Sequence, residues 1–150
     1  MRILFMGTSE FAVPVLERLQ SSSEHQLLGA VTQPDRPHGR GGKIALSPVK
    51  VAALRAGLPI FQPEKVRTKD FTIVVREMEP DALVVAAFGQ IISQRVLDIP
   101  RYGGINIHGS LLPRWRDAAP MQYALMNGDI ETGVTTMQMD SGLDSGDILL

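Results

Sequence analysis

The chain has 150 residues, 44% hydrophobic and 21% charged, with no cysteine and a formal net charge of -1. That balance fits one globular domain with its own core, and the missing cysteine excludes disulfides, thiolate metal ligands and a thiol nucleophile. No apolar run approaches the roughly 18 residues that cross a membrane, and the apolar opening is too short for a signal peptide, so the expected compartment is cytoplasmic.

Arg2-Ile3-Leu4-Phe5-Met6 reads as a buried strand, and Gly7-Thr8-Ser9 as the tight turn after it. A helix follows, with Phe11, Val15 and Leu19 on one stripe and Pro14 confined to its first turn. Strand, turn and helix in this order open a doubly wound, Rossmann-like α/β fold, a mostly parallel sheet with helices on both faces. The turn is not a dinucleotide fingerprint, because Ser9 and Ala12 stand where its second and third glycines belong and Glu10 would oppose a pyrophosphate.

Gln26 to Thr32 reads as the second strand. From Gln33 to Lys43 the proline and glycine content predicts a long irregular loop. Arg36, Arg40 and Lys43, with Lys50 beyond, against Asp35 leave this region at +3. It reads either as a solvated linker or as a flexible contact for an RNA backbone. More broadly, residues 1–116 carry all 15 Lys and Arg against 10 acids, a balance of +5, whereas 117–150 carry six acids and no base.

Ser47-Pro48 is a helix start, with Ser as N-cap and Pro at the first position, and Gly57 ends that helix at Ala56. Ile60-Phe61 is a candidate short strand. Phe71, Val74, Val75 and Met78 fall at helical spacing until Pro80 stops the run, and they read as core. Ala82 to Ala87 shows no alternation, as expected of a central parallel strand covered on both faces. It leads into Phe88-Gly89-Gln90-Ile91 at the carboxyl end, where open α/β sheets bind ligands. After at most a short helix from Ser93 to Leu97 comes a strand from Gly104 to His108. Pro120 to Met126 reads as a helix, and Thr132 to Met139 as a hairpin or bent strand. Ile148-Leu149-Leu150 opens a further strand in which the chain stops, as a fragment would.

The chemistry-bearing stretch is Asn106-Ile107-His108-Gly109-Ser110-Leu111-Leu112-Pro113. Alternation in a strand puts Asn106 and His108 on one face, where an amide and an imidazole can act on one developing negative charge. A capping Asn and a surface His are the plainer alternative. A second polar cluster, Asp140-Ser141-Gly142-Leu143-Asp144-Ser145-Gly146-Asp147, shifts the balance toward a site.

Together Asn106, His108, the Ser110-Leu111-Leu112-Pro113 run and Asp144 resemble the 10-formyltetrahydrofolate-dependent formyltransferase family. The resemblance covers essentially the whole chain and implies the fold above. It implies a catalytic trio of Asn106, His108 and Asp144, with Phe88, Gly89, Gln90 and Ile91 holding the pterin and Ser110, Leu111, Leu112 and Pro113 bordering the folate. The Thr32-Gln33-Pro34-Asp35-Arg36-Pro37 run, with Gly39-Arg40-Gly41 and Ser47-Pro48-Val49-Lys50, is similar to the branch whose acceptor is initiator methionyl-tRNA, with Arg36, Arg40 and Lys43 against the acceptor stem. In that branch a catalytic domain, here incomplete at its C-terminal end, is followed by a β-barrel domain that helps hold tRNA and is absent from this chain. No metal, membrane or obligatory protein partner is implied. The chain departs from the family at Asp117, where the pattern has glycine. Two alternatives stay open: a sibling enzyme formylating a small amine (a sugar nucleotide or glycinamide ribonucleotide), and a folate-binding fragment without turnover.

Overall fold

The computed structural model describes residues 1–38, 43–116, 118–140 and 142–150. In chain order the described elements are β1 (Arg2–Gly7), a 3₁₀ turn (Glu10–Ala12), α1 (Val13–Gln20), β2 (Gln26–Val31), β3 (Arg36–His38) and β4 (Lys43–Ala45). Then follow α2 (Pro48–Arg55), β5 (Ile60–Phe61), α3 (Lys69–Met78), β6 (Ala82–Ala86), α4 (Gln94–Leu97), β7 (Gly104–His108), α5 (Pro120–Met126) and β8 (Thr135–Gln138). The main sheet runs β5-β2-β1-β6-β7-β8, parallel except where β8 pairs antiparallel with β7.

The core follows from alternation in strands covered twice. Ile3 and Phe5 of β1 pack on one face with Leu16 of α1 and with Val49 and Ala53 of α2. Leu4 and Met6 pack on the other with Phe71 and Val75 of α3 and with Val96 and Leu97 of α4. All five residues of β6 are buried, which is why its sequence shows no polar face. The expected fold class is the observed one.

Local chemistry sets the helix ends. Ser47 Oγ accepts from Lys50 N at 3.1 Å with Pro48 behind it, and Thr68 Oγ1 accepts from Phe71 N at 3.2 Å. α3 has Asp70 in its first turn and Arg76 in its last, as the helix dipole favours, and it ends at Glu79, in the left-handed region at φ 48° before Pro80.

One expectation is corrected. The segment 33–43 is not irregular throughout, because β3 and β4 form a two-stranded antiparallel ribbon with Pro37 opposite Ile44. A ribbon has only edges, so the N–H that proline lacks is not needed by a further strand. At the other end the expected strand start pairs with β8, where Ile148 bridges Met137 antiparallel and backbone bonds join Asp147 to Gln138 and Leu149 and Leu150 to Thr136. No helix among the described residues is long and apolar enough to cross a membrane.

Candidate active site

Strand order places the site. From β1 the chain builds outward through β2 and β5 on one side and through β6, β7 and β8 on the other, so its direction reverses between β1 and β6. Ligands of open α/β sheets bind outside the carboxyl ends of the strands at such a reversal. A cleft of about 490 Å³ lies there, in the range of small-molecule sites. Phe11 after β1, Phe88 and Ile92 after β6, and Met137 and Met139 on and after β8 give it an apolar lining, while Asn106, His108, Asp140 and Asp144 supply polar groups.

The expected trio meets in this cleft. Asn106 Nδ2 donates to Asp144 Oδ1 at 3.0 Å, and His108 Nδ1 stands 3.5 Å from Asp144 Oδ2. His108 is 6% exposed, and its Nε2 lies 2.8 Å from the Trp115 carbonyl oxygen. Nothing in the sequence points to that carbonyl, since a backbone group leaves no mark there. Strand alternation positions Asn106 and His108, whereas Asp144 arrives on a loop.

The backbone around the cleft is held in rarely populated conformations. Ala87, Trp115, Ala119 and Asp144 all have positive φ, between 41° and 61°. Such angles cost on the order of 1–3 kcal/mol each for residues with a side chain, and they persist only where surrounding packing imposes them. Asp144 is thus delivered by a constrained loop rather than a floppy one.

Phe88, Gly89, Gln90 and Ile91 line the cleft as expected. Their loop is tied back by Thr8 Oγ1, which donates to the Phe88 carbonyl at 2.7 Å, and by Gln33 Nε2, which donates to the Gly89 carbonyl at 2.8 Å. Gln90 Oε1 accepts from Val66 N at 3.0 Å. Ser110, Leu111, Leu112 and Pro113 do not line it. Ser110 is buried, donating to the Arg114 carbonyl at 2.6 Å, and Leu111 borders a separate hollow with Arg114, Trp115 and Asp129. The cleft also gains Ser9, Met121 and Gln122, whose residue types carry no signal in sequence. The Asp117 departure lies outside the described residues.

Among the described residues, the expected basic contact Arg36 lies outside the cleft. Arg36 on β3 is exposed and pairs with Glu64 at 3.1 Å. Arg40 is outside the described residues, and Lys43 is described by its backbone in β4. Lys50 does not join a free basic face, because its Nζ bonds Asp35 and, at 2.7 Å, Gln62 Oε1. Among the described residues no group of His, Asp and Glu is disposed to hold a metal.

The formyl transferase family model matches residues 1–150, and the chain belongs to that family. It is 56% identical over 148 residues to a methionyl-tRNA formyltransferase of Geobacter metallireducens, covering 99% of this chain and 47% of the relative. The chain spans about half the length of the curated relatives it matches. Glycinamide ribonucleotide transformylase 1 from Symbiobacterium toebii shares the fold, with a TM-score of 0.79 at 17% identity over 100% of this chain and 71% of that one. So does a formyltetrahydrofolate deformylase from Pseudomonas syringae pv. tomato, with a TM-score of 0.75 at 20% identity, covering 99% and 49%.

Proposed function

We propose that this chain is the catalytic domain of an enzyme that moves a formyl group from 10-formyltetrahydrofolate to the α-amino group of methionine on initiator tRNA. The observation that carries the reading is the convergence of Asn106, His108 and Asp144 in one cleft at the sheet's reversal point. The pterin enters against Phe88, Gly89, Gln90 and Ile91, whose backbone offers polar edges within an apolar wall.

In the reaction the amine nitrogen attacks the formyl carbon, the carbonyl oxygen gathers negative charge, and the bond from carbon to the folate nitrogen then breaks. Asn106 has a second amide N–H for that oxygen, and a protonated His108 is the other donor through the Nδ1–H that it shares with Asp144, its Nε2–H being held by the Trp115 carbonyl. One such donor is often worth about 3–4 kcal/mol in the transition state. The Asp144 carboxylate pairs with the charged imidazole and takes the proton of the attacking amine through a water, while the departing folate nitrogen gains a proton. All the groups required are acids, bases and amides of this chain.

The acceptor reading leans on the basic ribbon of β3 and β4 and on relatives that carry methionyl-tRNA formyltransferase in their names. Arg36, Arg40 and Lys43 are the proposed contacts to the RNA backbone, made electrostatically and without chemistry. The test uses the protein at the length of its relatives, with formyl-labelled folate and either methionyl initiator tRNA or small sugar amines as acceptor. Transfer to the tRNA, weakened by Arg40→Ala with Lys43→Ala and with a shallower salt dependence, is the expected result. Faster transfer to a small amine overturns the acceptor, and folate binding without transfer to either overturns the reaction.

A further inference from the structure

The bond between His108 Nε2 and the Trp115 carbonyl fixes more than a distance. A carbonyl has no proton to give, so Nε2 must carry the proton of that 2.8 Å bond. Nδ1 is thereby the nitrogen turned to Asp144 and the cleft. Whatever holds the Trp115 carbonyl in place therefore decides which face of the imidazole the site presents.

Trp115 needs holding. Its φ of 56° is one a bulky residue adopts rarely, and it follows an exposed Arg114 on a surface turn. Ser110 anchors the turn only as far as the Arg114 carbonyl. Beyond that point the anchor is the indole, whose Nε1 donates to Asp129 Oδ2 at 2.6 Å. Asp129 Oδ1 accepts from Arg114 Nη2 at 2.8 Å, and the Arg114 guanidinium lies over the indole at 5.1 Å. Tyr123 of α5 stacks on the indole at 5.8 Å with 9° between planes. The Asp129 side chain is 11% exposed, and its backbone N–H bonds the Ala124 carbonyl at the end of α5.

We infer that Asp129 is a positioning residue: through the Trp115 indole it holds the backbone carbonyl that orients the His108 imidazole in the cleft. Asp129 lines the separate hollow beside the turn, not the cleft, so it acts only through Trp115. The catalytic meaning rests on the role proposed for His108, but the geometry does not.

The test is imidazole nitrogen NMR on this 150-residue chain, which has three histidines and one tryptophan. The parent should show His108 protonated at Nε2. Asp129→Ala should lose that preference and shift the single tryptophan's emission, leaving the His25 signal in place. Trp115→Phe keeps an aromatic ring at the position but lacks the indole N–H, and should reproduce the loss. Asp129→Asn keeps an oxygen acceptor and should restore the parent signal. If Asp129→Ala does not fold, the other two variants carry the comparison. A His108 signal unchanged in Trp115→Phe overturns the inference, as does a loss in Asp129→Asn equal to that in Trp115→Phe. No substrate enters this readout, so it can fail independently of the proposed reaction. In the longer protein Asp129→Ala and Trp115→Phe should lower kcat about tenfold or more, with KM for the formyl donor unchanged, as a displaced imidazole predicts, while Asp129→Asn should keep kcat near the parent's.

Discussion

Asp35 and Asp144 each sit at the centre of a polar cluster, and of these two only Asp144 faces the cleft. Asp35 takes the Lys50 ammonium on one oxygen and the Gln62 amide, at 2.9 Å, on the other, at a joint between the exit of β2, α2 and the residues after β5. Asp144 takes the Asn106 amide and faces the His108 imidazole, in the wall of the cleft. The Lys50 hydrogen bond first, and the Gln62 bond after it, hold the Asp35 carboxyl below its ordinary value. A perturbed ionisation is often taken as a pointer to a reactive site, yet structural ion pairs produce it equally well. What separates the two clusters is the open cleft beside Asp144, together with the strained backbone there.

The strongest way to break this contrast is to remove donors from the cleft. In the protein at the length of its relatives, Asn106→Ala and His108→Ala should each slow formyl transfer about a hundredfold or more. Folding and folate binding should be largely retained. Asp144→Asn keeps the shape and loses the charge, so it should slow transfer in the same sense. A His108→Ala enzyme within a few-fold of the parent in single-turnover kinetics would return the trio to a structural role.

A smaller effect should come from the loop that delivers Asp144. At Gly146 an added Cβ would collide with the Gln138 carbonyl oxygen of β8, a backbone atom that cannot swing aside. Gly146→Ala should therefore destabilise the chain by about 1–3 kcal/mol, the usual cost of overpacking. It should also lower turnover by displacing Asp144, though less than loss of His108 does. Denaturant melts and kinetics on one preparation check both. Full stability with full turnover would mean that the loop is not a fixed arm.

The contrast also divides what the sequence makes legible from what it hides. Uninterrupted apolar runs foretell β1 and β6, the Ser47-Pro48 pair foretells the start of α2, and Pro80 foretells the stop after α3. The same-face logic for Asn106 and His108 holds because strand alternation is a local property. What fails to show is nonlocal or backbone-borne. The β3–β4 ribbon is hidden by a proline that an edge tolerates. The pairing of Lys50 with Asp35 crosses from a loop to a helix, so simple charge counting places Lys50 on a basic face it does not join. The Trp115 carbonyl is chemically the same as any other and has no signature in sequence. The Ser110-Leu111-Leu112-Pro113 run packs beside the cleft, with Ser110 buried between Thr135 and the Arg114 carbonyl.

The smallest effect is expected at Asp35, and its pH dependence sharpens the comparison most. A carboxyl whose folded pKa lies below its unfolded value stabilises the native state wherever it is ionised in both states. Its contribution is therefore complete above the unfolded value of about 3.9 and is lost as the pH falls through the folded value. Asp35→Asn should accordingly lower Tm at neutral pH, and the gap to the parent should close in acid as the parent's own carboxyl is protonated. Lys50→Met, which takes away the first cause of the lowered pKa, should show the same closing gap. Neither change should alter the chemical step at neutral pH, because Asp35 is absent from the cleft wall. Thermal melts across an acid series, paired with single-turnover rates, measure both. A Tm gap that ignores pH would disprove the ionic account of the joint. A turnover loss as deep as that of Asp144→Asn would instead join the two carboxylates in one functional unit and dissolve the distinction between them.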